Sequence, residues 1–135
     1  MPSTKPSLLI VDDEQDMLDF LERVLRRFFN VQRCSSAEEA QTLLLERGFD
    51  VLVTDQKMPR MTGLELLEDV GERYPSMAKI LLSGFTEMPE IQKAVERGSI
   101  HNYIVKPVDG DRLLEAIEEA RSRRATGGTF KPTDA

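Results

Sequence analysis

The sequence predicts an α/β fold, a doubly wound sheet of five parallel strands, and three observations carry that reading. Short apolar runs alternate with longer amphipathic stretches from end to end, five of each. Each crossover between parallel strands needs a helix, and right-handed crossovers dominate, so strict alternation points to a sheet covered on both faces. Three of the runs also end in reactive residues: Leu8 to Val11 leads into Asp12 and Asp13, Val51 to Val53 leads through Thr54 into Asp55, and Tyr103 to Val105 leads into Lys106 and Pro107. Open parallel sheets carry their sites at the C-terminal ends of strands, where these groups would converge. Finally, 135 residues that are 40% hydrophobic and 31% charged suit one domain with a real core.

The elements follow in order. After the Leu8 strand, Met17, Phe20, Leu21, Val24, Leu25 and Phe28 recur at helical spacing and form one apolar stripe. A weaker strand covers Val31 to Cys34. Ser35 and Ser36 can cap the second helix, which turns Ala37, Ala40, Leu43 and Leu44 inward until Gly48 stops it. The third strand is Val51 to Thr54. Pro59 and Gly63 mark the loop behind it, and Leu64, Leu66, Leu67 and Val70 begin a third helix that ends near Tyr74 and Pro75. The fourth strand, Lys79 to Leu82, runs into Ser83 and Gly84. Ile91, Ala94 and Val95 predict a fourth helix closed by Gly98, and Leu113, Leu114, Ile117 and Ala120 a last helix after the Tyr103 strand. One domain is expected over residues 6–124, between disordered residues 1–5 and a flexible tail or linker at 125–135, where Phe130 is the single aromatic.

Composition narrows the function. A formal net charge of -6 opposes nonspecific binding to nucleic acid, because the chain would meet phosphate with repulsion. Cys34 is the only cysteine, so no intrachain disulfide forms, and it reads as a small buried strand residue. Residues 1–7 are polar and lack an apolar signal region, and no apolar stretch approaches the roughly 18 residues a membrane helix needs. A cytoplasmic protein is expected.

Two acids at one strand end have an ordinary explanation, since Asp caps helices and turns. Asp55 changes the reading: it follows another buried run, and three carboxylates within a few ångströms repel one another without a cation. Carboxylates around water and phosphate are the usual way to hold Mg²⁺, and one of them can serve as nucleophile toward a phosphoryl group. Lys106 brings a mobile positive charge that can follow phosphoryl oxygens. Pro107 makes the Lys106–Pro107 bond a candidate cis peptide, and Ser83 can donate a hydrogen bond to a phosphoryl oxygen.

Asp12-Asp13, the segment Asp55-Gln56-Lys57-Met58-Pro59-Arg60-Met61-Thr62-Gly63, Ser83 and Lys106-Pro107 together resemble the receiver domain of two-component response regulators, over nearly the whole chain. The resemblance implies that Asp55 is the phosphoacceptor for a sensor histidine kinase or phosphotransfer protein. Asp12 and Asp13 would hold Mg²⁺ with Asp55 and the backbone carbonyl of Lys57. Ser83 and Lys106 would bind the phosphoryl oxygens, and Tyr103 would be the aromatic whose rotamer follows Ser83. It further implies the flavodoxin-like strand order 2-1-3-4-5, a signalling domain rather than an enzyme, and an output face of helix four, strand five and helix five. Ile91 and Val95, ringed by Glu90, Lys93, Glu96 and Arg97, would offer that face to an effector or a homodimer.

Gly98 and Tyr103 stand one residue further apart than is usual in such receivers. With Ser83-Gly84-Phe85-Thr86-Glu87, that spacing resembles receivers joined to cyclic-dinucleotide phosphodiesterases or to sensor kinases. Lys57 and Phe85 stand where family members control hydrolytic water, so a long-lived phosphoryl group is expected. His101, the only histidine, reads as an exposed loop residue. A haloacid-dehalogenase type phosphatase would need Asp-x-Asp, but Gln15 stands two positions after Asp13. In a flavodoxin, Asp13-Glu14-Gln15-Asp16 would repel the flavin phosphate. The remaining alternative is a degenerate receiver that only binds proteins.

Overall fold

The computed structural model describes residues 5–84 and 88–125. Strands and helices alternate strictly: β1 (Ser7–Val11), α1 (Gln15–Leu25), β2 (Asn30–Cys34), α2 (Ala37–Glu46), β3 (Val51–Asp55), α3 (Gly63–Gly71), β4 (Ala78–Ser83), α4 (Met88–Arg97), β5 (Asn102–Val105) and α5 (Gly110–Ala125). All five strands are parallel, in the order β2-β1-β3-β4-β5. The first strand therefore lies inside the sheet, between the second and third.

Strand periodicity divides the core into two layers. Leu8 and Ile10 of β1, Val51 and Val53 of β3, and Ile80 and Leu82 of β4 pack with Leu18, Leu21 and Leu25 of α1 and Leu113, Ile117 and Ala120 of α5. Leu9, Val11, Leu52 and Leu81 point the other way, into α2, α3 and α4. Both faces are covered, which is why these strands read as continuous apolar runs without alternation. Cys34 is buried at the end of β2, and burial pushes its thiol up to about 12. Among the described residues no helix is long and apolar enough to cross a membrane.

Four expectations need correction. In α1 the buried face is Leu18, Leu21 and Leu25, whereas Phe28 lies past the helix end and is 49% exposed. The stripe took in residues beyond the last turn and missed Leu18, because Met17, Phe20 and Val24 only flank the core. In α4, Ile91 and Val95 are fully buried in the core, so they offer nothing to a partner; the outward residues are Gln92, Lys93, Glu96 and Arg97. His101 is not a plain exposed loop residue. It is half-buried, its Nδ1 accepts from Lys79 N at 3.1 Å, and its own N–H donates to Lys79 O at 2.8 Å, extending the β4–β5 pairing by one step. The third helix stops at Gly71, short of Tyr74. The expectations for Phe85, for residues 1–4 and for the tail beyond residue 125 fall outside the described residues.

Candidate functional site

Register brings the strand ends together. Val11 pairs with Thr54, Asp55 with Leu82, and Ser83 with Val105, so the residues that follow β1, end β3 and β4, and follow β5 share one edge. Asp12 is completely buried, with its N–H donating to Cys34 O at 3.2 Å and its Oδ1 accepting from Glu14 N at 2.9 Å. Its other oxygen, Oδ2, is buried without a hydrogen-bond partner. Asp13 is exposed. Asp55, 2% exposed, completes the group: carboxylate oxygens of the three lie within 4.8 Å of one another.

Lys106 reaches in from the far side. Its Nζ stands 2.5 Å from Asp55 Oδ1. That contact pairs the ammonium directly with the buried carboxylate. The Lys106–Pro107 peptide is cis, as the sequence allowed, and Lys106 N donates to Ser83 O at 2.7 Å. Ser83 is buried at the end of β4, with its Oγ unpartnered.

Burial dominates the electrostatics. Loss of water raises the Asp12 carboxyl to about 6; the Glu14 amide and Lys106 oppose the rise, and Asp55 and Asp13 add to it. Asp55 is likewise raised by burial, against the pull of Lys106. At Lys106 burial disfavours the ammonium, but Asp55, Asp12 and Glu14 outweigh it and raise the group above its ordinary value. Three acids thus share one paired cation, Asp12 keeps a buried oxygen without a hydrogen-bond partner, and all the donors are oxygen. This set fits a hard divalent ion such as Mg²⁺, which takes carboxylate, carbonyl and water ligands.

The other expected residues are more peripheral. Lys57 follows in the loop with its side chain exposed, and Tyr103 is half-buried in β5 against the layer formed by α2, α3 and α4. One residue was missed. Gln56 is buried, and its Oε1 accepts from Leu64 N at 2.8 Å at the start of α3. A polar residue directly after the last acid of a buried run was the available signal. α3 itself starts where a capping box forms: Thr62 Oγ1 accepts from Glu65 N and the Glu65 carboxylate from Thr62 N.

Comparison with known proteins agrees with this geometry. The chain is 37% identical over 134 residues to the hydrogenase transcriptional regulatory protein HoxA of Cupriavidus necator, covering 99% of this chain and 28% of that protein. The chain thus spans less than a third of that relative. A receiver domain from Clostridium thermocellum superposes with a TM-score of 0.82 at 29% identity, covering 90% of this chain and 98% of that one. The signal receiver domain of an HD domain-containing protein from Pseudomonas fluorescens Pf-5 gives 0.82 at 30% identity, with 94% of each chain covered. Residues 8–118 match the response regulator receiver domain. With that match over most of its length, a parallel sheet in the order found and acids gathered at its edge, the chain belongs to the response regulator receiver domain family.

Proposed function

We propose that the chain accepts a phosphoryl group on Asp55 in a Mg²⁺-dependent reaction, from the phosphohistidine of a sensor histidine kinase or phosphotransfer protein. The observation that carries this reading is the buried Asp55 carboxylate, 2.5 Å from Lys106 Nζ and grouped with Asp12 and Asp13. An Asp55 oxygen attacks phosphorus, the phosphorus–nitrogen bond of the donor breaks with its electron pair going to the imidazole, and an acyl phosphate remains. Mg²⁺, held by Asp12, Asp13, Asp55 and the Lys57 carbonyl, would neutralise the acids and draw charge from the phosphoryl oxygens. Lys106 keeps its ammonium and can pass from Asp55 to an incoming phosphoryl oxygen. The unpartnered Ser83 Oγ–H can donate to another, and Tyr103 would follow that movement.

The output would run through α4, β5 and α5, as a homodimer or an effector contact. Because the outer residues of α4 are polar and charged, such a contact would be held by ion pairs and hydrogen bonds more than by apolar area. A larger effector is favoured by the transcriptional regulators among the relatives and by the neighbour that is the receiver of an HD domain-containing protein.

Incubation with a small acyl phosphate and Mg²⁺ should add one acid-stable, base-labile phosphate by intact mass, and Asp55→Asn should add none. Normal phosphate incorporation in Asp55→Asn would overturn the assignment.

A further inference from the structure

Gln56 uses three polar groups to close the loop that follows Asp55. Its N–H donates to Leu82 O at 2.9 Å, its carbonyl accepts from Gly63 N at 3.0 Å, and its side-chain Oε1 accepts from Leu64 N at 2.8 Å. Gly63 and Leu64 begin α3, and the first N–H groups of a helix have no partner within it. The side chain of the cap residue, Thr62, accepts from Glu65 N. Gln56 therefore provides the two acceptors that the capping box leaves over, one from its backbone and one from its carboxamide. Gln56 as a whole is buried, so losing its acceptor would leave the Leu64 N–H without a partner at the helix start.

The consequence falls on Lys57, the first residue inside the closed loop. A side chain that points to solvent leaves a backbone carbonyl to be aimed by the chain on either side of it. Upstream, Gln56 is fixed to β4 and to α3; downstream, Met58 is buried in the core and the loop closes at Gly63, whose added Cβ would lie 2.2 Å from Asp55 O. We propose that Gln56 is a positioning residue for the metal site: its carboxamide clamps α3 to the segment after Asp55 and so fixes the Lys57 carbonyl as a ligand for Mg²⁺. This rests on the reading of the acid group as a Mg²⁺ site. Outer residues that orient ligands commonly change metal affinity 10- to 100-fold.

Mg²⁺ titration of the metal-free protein, followed by amide resonances with no phosphoryl donor present, tests it. Gln56→Met keeps the length of the side chain and removes the acceptor, so Mg²⁺ affinity should fall at least about tenfold while the Leu64 amide exchanges faster. Thr62→Ala removes a neighbouring acceptor of the same helix start and should lower the melting temperature without that loss of affinity. Gln56→Glu keeps the acceptor oxygen and should protect Leu64 and bind Mg²⁺ at least as well as wild type. Wild-type affinity in Gln56→Met with an unprotected Leu64 overturns the proposal, as does equal weakening in Thr62→Ala. Should Gln56→Met not fold, weakened Mg²⁺ binding in a folded Gln56→Glu overturns it as well. No Mg²⁺ response in the wild type would instead defeat the metal-site reading itself.

Discussion

Arg60 adopts φ 70, a left-handed backbone in which the Cβ of an L residue crowds the following carbonyl oxygen. Its side chain is 70% exposed and meets Glu38 Oε2 at 3.3 Å, a surface pair that repays little of the strain. A branched Cβ makes this conformation worse, and its absence relieves it. Arg60→Val should therefore destabilise the protein by about 1–2 kcal/mol, whereas Arg60→Gly should stay within about 0.5 kcal/mol of wild type. Urea midpoints compare the two directly, and equal losses would show that the strain is absent. Pro59 and Gly63 announced a loop here, but nothing in the local pattern marked an arginine for the left-handed region.

At the level of elements, α3 begins directly beneath the acid site. A Cβ on Gly63 would lie 2.2 Å from Asp55 O and 2.9 Å from Leu81 Cδ1, so Gly63→Ala forces β3 and α3 apart. It should cost about 3 kcal/mol and move the Asp55 segment. Gly48, with nothing within 4 Å of an added Cβ, should accept alanine with no loss. Denaturant midpoints of the two variants give the comparison, and a mild Gly63→Ala would mean that the contact yields. The same elements explain what the sequence disclosed. Strands buried on both faces leave unbroken apolar runs, and helices between them leave stripes at a period near 3.6, so the order of elements was legible. The gathering of Asp12, Asp13, Asp55, Ser83 and Lys106 at one sheet edge was legible because each stands at or just beyond a strand end. A stripe identifies the side of a helix that is buried and not what the opposite side meets, so Ile91 and Val95 could not serve both the core and a partner. Gln56 and His101 stayed hidden because their roles are hydrogen bonds to backbone remote in sequence, Leu64 N and Lys79 N.

For the whole molecule, folding creates an acid site at some expense in stability, and the balance changes with pH and metal. Asp12 has an ordinary carboxyl value of 3.8 and is raised to about 6 by burial. Between those values the folded chain holds a proton that the unfolded chain has released, so this group's contribution falls as pH rises through the window and stays low above it. A shift from 3.8 to about 6 corresponds to at most about 3 kcal/mol. Asp12→Asn keeps the oxygen that accepts from Glu14 N and removes the charge, so without metal at pH 7.5 it should be more stable than wild type by up to about 3 kcal/mol, several degrees in melting temperature. Near pH 3.5, where Asp12 is protonated in the folded state and mostly so in the unfolded one, the two proteins should come within a few tenths of a kcal/mol of each other. Saturating Mg²⁺ should reverse the order at pH 7.5, because it stabilises the folded wild type in proportion to its binding and finds fewer ligands in the variant. Thermal melts of both proteins at the two pH values, with Mg²⁺ and with a chelator, make the comparison. If Asp12→Asn is no more stable than wild type in chelator at pH 7.5, the buried acids do not carry the strain that their geometry implies.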